Sequence, residues 1–372
     1  MTVSTAEVLA PKTILKAVQQ MDLAGTSLQR LLGFGLGSGN VDRQSGRNFA
    51  FDSFPPTRRI ATARFGAQAS GRQRPQAVTT QSGTFPRAAE TISLLDEDLL
   101  NRRRIGRSPG ELDRRGENYL TRQEAYLAQR FANLVEFQAA AMLRGSYSYH
   151  MDGDDLRHGF TGGTMAVDFA IPAGNLGQLN MLGGGNLLNA DWSVTTTDIP
   201  RQLQSINSAM VQLTGMGLAH VIVTGTGWQN IINNQKVQTQ GGSAASAFES
   251  LSRQGSGEFS ARLKALPWIT FHVVDYGLEV WNGTSEVFTK LIADDCAAFL
   301  PEPSVRWVQY LEGSEMVTEG PGGVKGERFG FYAYAYSTHD PSGWDLCAVM
   351  NGIPALYMPS AVAYGKISGG VY

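Results

Sequence analysis

One stretch of the chain repeats apolar residues with the period of a long α-helix. Its apolar positions lie seven, four, three and seven residues apart: Leu120, Leu127, Phe131, Leu134 and Ala141. A capping box, Ser108-Pro109-Gly110-Glu111, precedes the pattern, and Gly145 stands where a glycine ends many helices. The pattern therefore predicts a helix over 109–145, on the order of 54 Å long at 1.5 Å per residue.

Shorter apolar runs downstream predict strands mixed with short helices. A helix is expected from Asp198 to near Gly217 and another over 228–237. An Asn-Gly pair at 282–283 predicts a hairpin. Strands are predicted at 220–224, 268–274, 305–310, 329–336 and 354–358. The chain is therefore expected to be α+β, with antiparallel pairing in much of the sheet.

Residues 46–90 predict a long two-stranded excursion with almost no core of its own. Apolar and arginine residues are interleaved over 59–65, and a second extended stretch covers 75–80. An isolated hairpin is at best marginally stable in water. We therefore expect this excursion to be held by contacts outside itself.

Composition narrows the class of protein. The 372 residues are 42% hydrophobic, which is typical of a globular chain, and include 43 glycines. The sequence contains no apolar run of the ~20 residues that a membrane span needs, and its start lacks the pattern of a signal peptide. With only Cys296 and Cys347, a disulfide framework is not expected. A soluble protein made in a reducing cytoplasm is predicted.

The net charge of −2 hides an uneven distribution. Between Arg43 and Ala89, eight arginines face one acid, Asp52, which gives 8 − 1 = +7. From Asp275 to Asp345, twelve acids face four basic residues, which gives 4 − 12 = −8. The basic segment has three interpretations: pairing with carboxylates of a neighbouring subunit, contact with nucleic-acid phosphates, or a solvated surface. Its strand-like form without a core favours docking on another chain.

Candidate chemistry elsewhere is weak. The glycine run 33–39 lacks a preceding strand, and Thr224-Gly225-Thr226-Gly227 lacks the lysine of a phosphate loop. The run His150–His158 holds two histidines and three aspartates, but its Asp-Gly pair favours a hairpin turn over a metal site. No nucleophile motif surrounds Cys296, which follows Asp294 and Asp295. The same holds for three histidines: His220, His272 and His339. We assign no catalytic residue, cofactor or metal.

Several segments in a fixed order resemble the major capsid proteins of tailed bacteriophages, in their lambda-like branch. The first is the acidic-then-basic run from Leu94-Leu95-Asp96-Glu97-Asp98 to Asn101-Arg102-Arg103-Arg104-Ile105. The helix ending Ala139-Ala140-Ala141-Met142-Leu143-Arg144-Gly145 follows. Then come Val221-Ile222-Val223 with Gly227-Trp228, and the closing Ile353-Pro354-Ala355-Leu356-Tyr357-Met358-Pro359. The resemblance covers most of the chain from about residue 45.

The resemblance implies a Hong Kong 97-type fold and a division of the chain. Residues 1–45 would be an N-terminal arm and 46–90 an extended loop, the E-loop, lying across a neighbouring subunit. Residues 91–200 would form a peripheral domain whose spine is the helix at about 109–145. Residues 201–325 would be the axial domain, and 326–372 would return to the peripheral domain.

The resemblance also implies a structural role without enzymatic activity. The protein would self-assemble as hexamers and pentamers into an icosahedral shell around phage double-stranded DNA. It would be synthesised in the host cytoplasm and would reside in the virion capsid. Some relatives cross-link an E-loop lysine to an asparagine, but this chain has no lysine over 17–235.

The partners that the resemblance implies are a separate scaffold protein, a portal and the packaged DNA, but no membrane. The shell would be stabilised by non-covalent contacts or by a cement protein. The E-loop residues expected to contact a neighbour are Arg58, Arg59, Arg64, Arg72 and Arg74. Two alternatives remain. One is the shell of an encapsulin-like compartment, and the other is a DNA-binding or hydrolytic protein.

Overall fold

A computed structural model describes most of the chain. The described residues are 26–34, 40–55, 78–95, 114–150, 164–241, 248–253, 258–281, 284–319, 324–339 and 342–369. The capping box at 108–111 and the extended stretch over 59–65 lie outside them. The chain divides into two compact units, which are described separately. Unit 1 comprises 1–49, 82–138 and 309–354, and unit 2 comprises 50–81, 139–308 and 355–372.

The described residues contain five α-helices. They are α1 (Ser27–Leu32), α2 (Arg114–Arg144), α3 (Ile199–Thr214), α4 (Gly225–Ile232) and α5 (Gln235–Gly241). Single 3₁₀ turns occur at Ala173–Asn175 and Pro359–Ala361.

Eighteen strands accompany these helices in the described part of the chain. The first nine are β1 (Val41–Gln44), β2 (Asn48–Ser53), β3 (Thr79–Thr84), β4 (Arg87–Leu95), β5 (Ser146–His150), β6 (Thr164–Asp168), β7 (Leu176–Gly177), β8 (His220–Val223) and β9 (Phe248–Arg253). The others are β10 (Phe259–Leu263), β11 (Leu266–Val273), β12 (Gly277–Trp281), β13 (Glu286–Lys290), β14 (Cys296–Leu300), β15 (Val308–Glu319), β16 (Val324–His339), β17 (Ser342–Leu356) and β18 (Ala363–Lys366). The predicted mixture of helices and strands is confirmed.

The main sheet of unit 1 has five strands in the order β1-β15-β16-β17-β4. Its centre is the antiparallel pair β16–β17, in which Gly330 lies opposite Asn351 and His339 opposite Ser342. The predicted strand 329–336 is therefore part of the longer β16, and residues 354–356 of the predicted strand 354–358 are the end of the longer β17. Side chains alternate between the two faces of a strand, and polar residues on one face interrupt the apolar runs by which we located these strands.

The long helix α2 packs on this sheet through its apolar stripe. Leu127, Phe131 and Val135 are buried, and the Phe131 ring meets Phe331 of β16 edge-on with centroids 5.3 Å apart. Arg130 extends the contact to Glu90 of β4 with a 2.9 Å ion pair. The predicted helix is confirmed over its described part, and Gly145 ends it with φ +96°.

Two buried polar side chains of α2 hold its neighbours in unit 1. The Glu136 carboxylate accepts hydrogen bonds from the Leu28 and Gln29 amides at 2.7 and 3.0 Å. It thereby caps α1, where the N-cap residue Thr26 supplies no side-chain hydrogen bond. The Gln138 amide donates to the Gly352 carbonyl at 3.1 Å and accepts from the Tyr310 hydroxyl at 2.7 Å.

Unit 2 contains a seven-stranded sheet in the order β7-β18-β14-β8-β11-β10-β9. Helix α3 contributes Leu203, Ile206 and Met210 to its core. As predicted, α3 begins after Asp198, whose carboxylate accepts from the Arg201 amide at 3.1 Å. It ends at Gly215, which has φ +81°, two residues before the predicted Gly217. Two pairings in this sheet are parallel, β8–β11 and β7–β18.

The helix predicted over 228–237 is wrong in one respect, because two helices occupy this region. The first, α4, ends at Ile232, and α5 begins at Gln235. The Asn234 side-chain oxygen accepts from the Lys236 and Val237 amides at 3.0 and 3.2 Å. Asparagine favours such a cap over a helix interior, which explains the interruption.

Two further hairpins of unit 2 were anticipated. Strands β5 and β6 pair with His150 opposite Thr164, as expected for a turn between them. Strands β12 and β13 pair with Trp281 opposite Glu286 and bracket the Asn-Gly pair. Within the described residues, no helix is both long and apolar enough to span a membrane.

Replacing Gly352 with alanine is expected to destabilise the isolated subunit by about 1–3 kcal/mol, because it overpacks the helix–sheet contact. A Cβ atom at Gly352 would lie 2.5 Å from Cε1 of Tyr310, the residue that bonds Gln138. Chemical unfolding of the unassembled subunit measures the effect. Gly184→Ala is the matched control, since no atom lies within 4 Å of a Cβ there. Equal stability of the two variants would contradict the prediction.

A buried acid in α2 predicts an unusual dependence of stability on pH. Glu124 is 4% exposed, and burial raises the pKa of its carboxyl to about 7. The folded state therefore binds this proton more tightly than the unfolded state does. The stability that the proton contributes is complete below about pH 4.5 and is lost as the pH rises through 7.

Glu124→Gln removes this titration, so we expect the variant to exceed the wild type by about 1–3 kcal/mol at pH 8 and by much less at pH 4.5. Urea unfolding at the two pH values measures the difference. Glu327→Gln, at an exposed position, is the control and should follow the wild type. A Glu124→Gln variant with the wild-type pH profile would refute the assignment.

Candidate subunit interface

The arginine-rich excursion is described only at its base. The five arginines predicted to contact a neighbour, Arg58, Arg59, Arg64, Arg72 and Arg74, lie outside the described residues. Strands β2 and β3 pair on either side of them. In unit 1, Phe49 of β2 packs edge-on against Phe85 with centroids 5.5 Å apart. In unit 2, the Thr80 hydroxyl donates to Asp52 at 2.7 Å.

Three arginines that flank this excursion pair with acids of their own chain. Arg43 lies 3.3 Å from Glu312, and Arg87 lies 2.9 Å from Glu315. Arg47 also reaches Glu315, at 3.6 Å. Both acids belong to β15 and to the acidic stretch found in the sequence. The sequence favoured acids of a neighbouring subunit as the partners of this segment, but for these three arginines the partners are intramolecular.

The surroundings of the two acids differ. Burial raises the pKa of Glu312, and Arg43 offsets this only in part. Partial burial also acts to raise the pKa of Glu315, but hydrogen bonds from Arg87, Asn351 and Tyr332 outweigh it, so the pKa is lowered. Glu315 is therefore a charged acceptor shared by several donors.

This pairing leaves a charge imbalance in the middle of the excursion. Of the eight arginines in 43–89, three are paired as described, and 8 − 3 = 5 lie within 56–77. That segment contains no Asp or Glu. It therefore carries a local charge of +5 that no acid of the same segment offsets.

The glycine-containing turn Thr224–Gly227 already has an anionic partner within the chain. The Asp275 carboxylate accepts from the Gly225 amide at 3.0 Å, and the Thr224 hydroxyl accepts from Gly227 at 3.4 Å. A side chain at Gly225 would collide with Asp275. The start of α4 is therefore a packed turn, as the sequence favoured, and its anion position is filled by a carboxylate.

Two histidines that seemed isolated in the sequence meet in unit 2. His220 Nδ1 lies 3.0 Å from His272 Nε2, and His220 Nε2 lies 2.9 Å from Glu302. Burial lowers the pKa of both rings, that of His272 to about 3. With both rings neutral, His272 donates to His220 and His220 donates to the carboxylate. Parallel pairing of β8 and β11 brings the rings together, and this pairing has no local signal in the sequence.

The other sequence candidates are placed as follows. Asp294 binds Lys290 at 2.7 Å and Asp295 lies 3.3 Å from Lys366. Burial raises the pKa of the Cys296 thiol to about 11, so it is protonated at neutral pH. Residues 151–158 of the His150–His158 run and the side chain of His339 lie outside the described residues. In the described part of the chain, no three His, Cys, Asp or Glu side chains are grouped to hold a metal ion.

The outer face of the sheet of unit 1 carries a row of aromatic rings. Tyr332 and Tyr334 of β16 stack with centroids 6.1 Å apart, and Tyr334 and Tyr336 follow at 6.3 Å. The Tyr332 hydroxyl donates to Glu315 at 3.1 Å. Exposure increases along the row, and Tyr336 is 47% exposed. This row of tyrosines was not predicted from the sequence, although Tyr alternates with Ala over 332–336.

Comparison with known structures shows the fold. A protein described as a prophage capsid protein from Escherichia coli CFT073 has a TM-score of 0.59 at 16% identity, and the match covers 99% of this chain and 100% of that one. A phage-related protein from Bordetella bronchiseptica RB50 has a TM-score of 0.55 at 12% identity and full coverage of both chains. A Synechococcus elongatus encapsulin reaches a TM-score of 0.44 at 10% identity, covering 94% and 90%.

Comparison of the sequence with protein families gives a match along most of its length. No curated protein matches the chain. The family model of phage major capsid protein E matches residues 57–367. The α+β fold is accordingly the Hong Kong 97 type that the resemblance implied, and the chain belongs to the phage major capsid protein E family.

Proposed function

We propose that this capsid shell protein forms hexamers and pentamers that close into an icosahedral shell around phage double-stranded DNA. The family match over 57–367 carries the proposal. The role is structural, and no step of assembly requires a reaction catalysed by this chain. The protein is made in the host cytoplasm and ends in the virion.

We further propose the domain roles implied by the resemblance. Residues 46–90 act as the E-loop, and α2 is the spine of the peripheral domain, which 91–200 and 326–372 build together. Residues 201–325 form the axial domain around the capsomer centre, and 1–45 form the arm. The paired strands β2 and β3 at the base of the E-loop, and the ion pairs of Arg47 and Arg87 with Glu315, support a fixed point of departure for that loop.

The E-loop arginines are proposed to bind a neighbouring subunit. Arg58, Arg59, Arg64, Arg72 and Arg74 carry five positive charges in a segment without acids. An arginine side chain is suited to this role, because its planar guanidinium donates two parallel hydrogen bonds to a carboxylate. Each exposed pair contributes little alone, so several together would set the strength of the contact.

Other partners follow from the proposed assembly. A separate scaffold protein would direct shell closure, a portal would occupy one vertex, and a cement protein would reinforce the outside. Packaged DNA would meet the inner wall through contacts that do not depend on base sequence.

Reversing two E-loop charges, Arg59→Glu with Arg64→Glu, is expected to leave a folded subunit that assembles at least about tenfold less efficiently, because attractive pairs become repulsive. Negative-stain electron microscopy and sedimentation of the purified protein count the particles, and circular dichroism checks the fold. The control is Arg201→Glu with Arg306→Glu, two exposed positions elsewhere.

The control should form particles in the wild-type amount. Normal particles from Arg59→Glu/Arg64→Glu would refute the role of the arginines and leave the shell function standing. A wild-type protein that stays monomeric under all assembly conditions would refute the shell function itself.

A further inference from the structure

The β12–β13 hairpin of unit 2 presents one face whose composition differs from the other. Glu279 lies opposite Phe288, and Trp281 lies opposite Glu286. Paired residues of antiparallel strands share a face, and alternate residues along a strand return to it. Glu279, Trp281, Glu286 and Phe288 therefore lie on a single face, named here the acidic aromatic face, together with the pair Gly277 and Lys290 at the far end of the hairpin.

This face is open to solvent, with Phe288 62% exposed and Trp281 36% exposed. The opposite face is packed at Leu278, which is 7% exposed, and opens at Val287, which is 43% exposed. A side chain at Gly277 of β12 would collide with the Phe288 ring, so glycine lets this ring of β13 lie across the partner strand. The hairpin forms a separate two-stranded sheet, and two strands alone are marginally stable. Covering this face would stabilise the hairpin.

The acids of this region are only partly neutralised. Residues 275–295 contain five acids and one base, Lys290, which gives 1 − 5 = −4. Asp294 binds Lys290, Asp295 pairs with Lys366, and Asp275 accepts from the Gly225 amide. Glu279 and Glu286 have no ion-pair partner among the described residues. The two unneutralised acids are thus the two that flank the exposed rings.

Glu279 and Glu286 match the arginines of segment 56–77 in sign and in chemistry. Glu312 and Glu315 already bind the arginines at the base of the excursion. The segment 56–77 has five more arginines and no acid. A guanidinium can stack on a Trp or Phe ring while it donates hydrogen bonds to a nearby carboxylate. The alternation of ring and carboxylate on the hairpin suits this combination.

We propose that the acidic aromatic face binds the arginine-rich segment 56–77 of a second copy of this chain. The inference rests on the proposed shell function and adds to it the acceptor of the E-loop. The proposed occupant of the acidic aromatic face is this one segment of the chain. The face is not proposed to bind the scaffold, the cement protein or DNA.

Photo-crosslinking tests the contact directly. Phe288 is replaced by p-benzoyl-phenylalanine in full-length protein, and particles are assembled from equal amounts of ¹⁴N- and ¹⁵N-labelled subunits. After irradiation, mass spectrometry should find position 288 joined to a peptide within 56–77, with both mixed-label and same-label products. Leu251, another exposed apolar residue of unit 2 (65%), is the control site and should not give this product.

The outcomes separate the inference from the function on which it rests. Particles whose crosslinks from position 288 map elsewhere overturn the inference and leave the shell function intact. Crosslinks to 56–77 with only same-label products overturn the second copy as the source, because they place the segment of the same chain on the face. Wild-type protein without particles overturns the shell function.

A charge exchange provides an independent test. Glu279→Arg with Glu286→Arg should reduce particle yield about tenfold, like the Arg59→Glu/Arg64→Glu variant, and combining all four changes should restore at least about a third of the wild-type yield. Glu327→Arg is the control for charge alone and should assemble normally. Circular dichroism confirms folding of each variant.

Co-expression shows whether the restored contact crosses subunits. The Glu279→Arg/Glu286→Arg chain should co-assemble with the Arg59→Glu/Arg64→Glu chain, since each presents the charge that the other lacks. If neither the variant with all four substitutions nor the mixture of the two chains forms particles, the pairing is refuted. If only the variant with all four substitutions forms particles, the contact lies within one chain.

Discussion

The position of the long helix along its sheet is the constraint on which unit 1 depends. Apolar contacts such as Phe131 with Phe331 favour burial, but burial is non-directional and does not by itself choose one register. The buried amide of Gln138 selects one register, because it forms hydrogen bonds with both the Gly352 carbonyl and the Tyr310 hydroxyl. Sliding the helix would leave these groups unpaired at about 1–3 kcal/mol each. Glu136 adds a second fixed point by capping α1.

The same unit sets the base of the arginine-rich excursion. The Glu315 carboxylate forms ion pairs with Arg47 and Arg87 and accepts hydrogen bonds from Asn351 and Tyr332. These donors come from the flanks of the excursion and from the two central strands of the sheet. A substitution of Tyr332 or Asn351 would therefore alter the carboxylate that holds the base of the excursion.

The local parts of the fold were predictable, and the long-range parts were not. Helix α2 and its end at Gly145 follow from periodicity and one glycine, and the β12–β13 turn follows from an Asn-Gly pair. The contact of His220 with His272 joins residues 52 positions apart in the chain and leaves no local pattern in the sequence. Pairing of the flanking arginines with Glu312 and Glu315 is likewise a long-range contact without a local pattern. The charge distribution in the sequence showed a basic and an acidic segment, but we expected the basic segment to pair with acids of a different chain.

Some charged side chains of this chain thus form ion pairs within the folded subunit, and others are left for contacts with other subunits. The flanking arginines and β15 acids neutralise each other at part-buried positions, where such pairs help to order the chain. Within the described residues Glu279 and Glu286 have no ion-pair partner, and the sequence of 56–77 holds five arginines and no acid. Exposed pairs contribute only about 0–1 kcal/mol each, which is too little to fold a loop but suits contacts that must form and break while a shell closes. A subunit that used all its charges internally would lack this adjustable attraction, so a near-zero net charge of the chain is compatible with many weak charge pairs between copies.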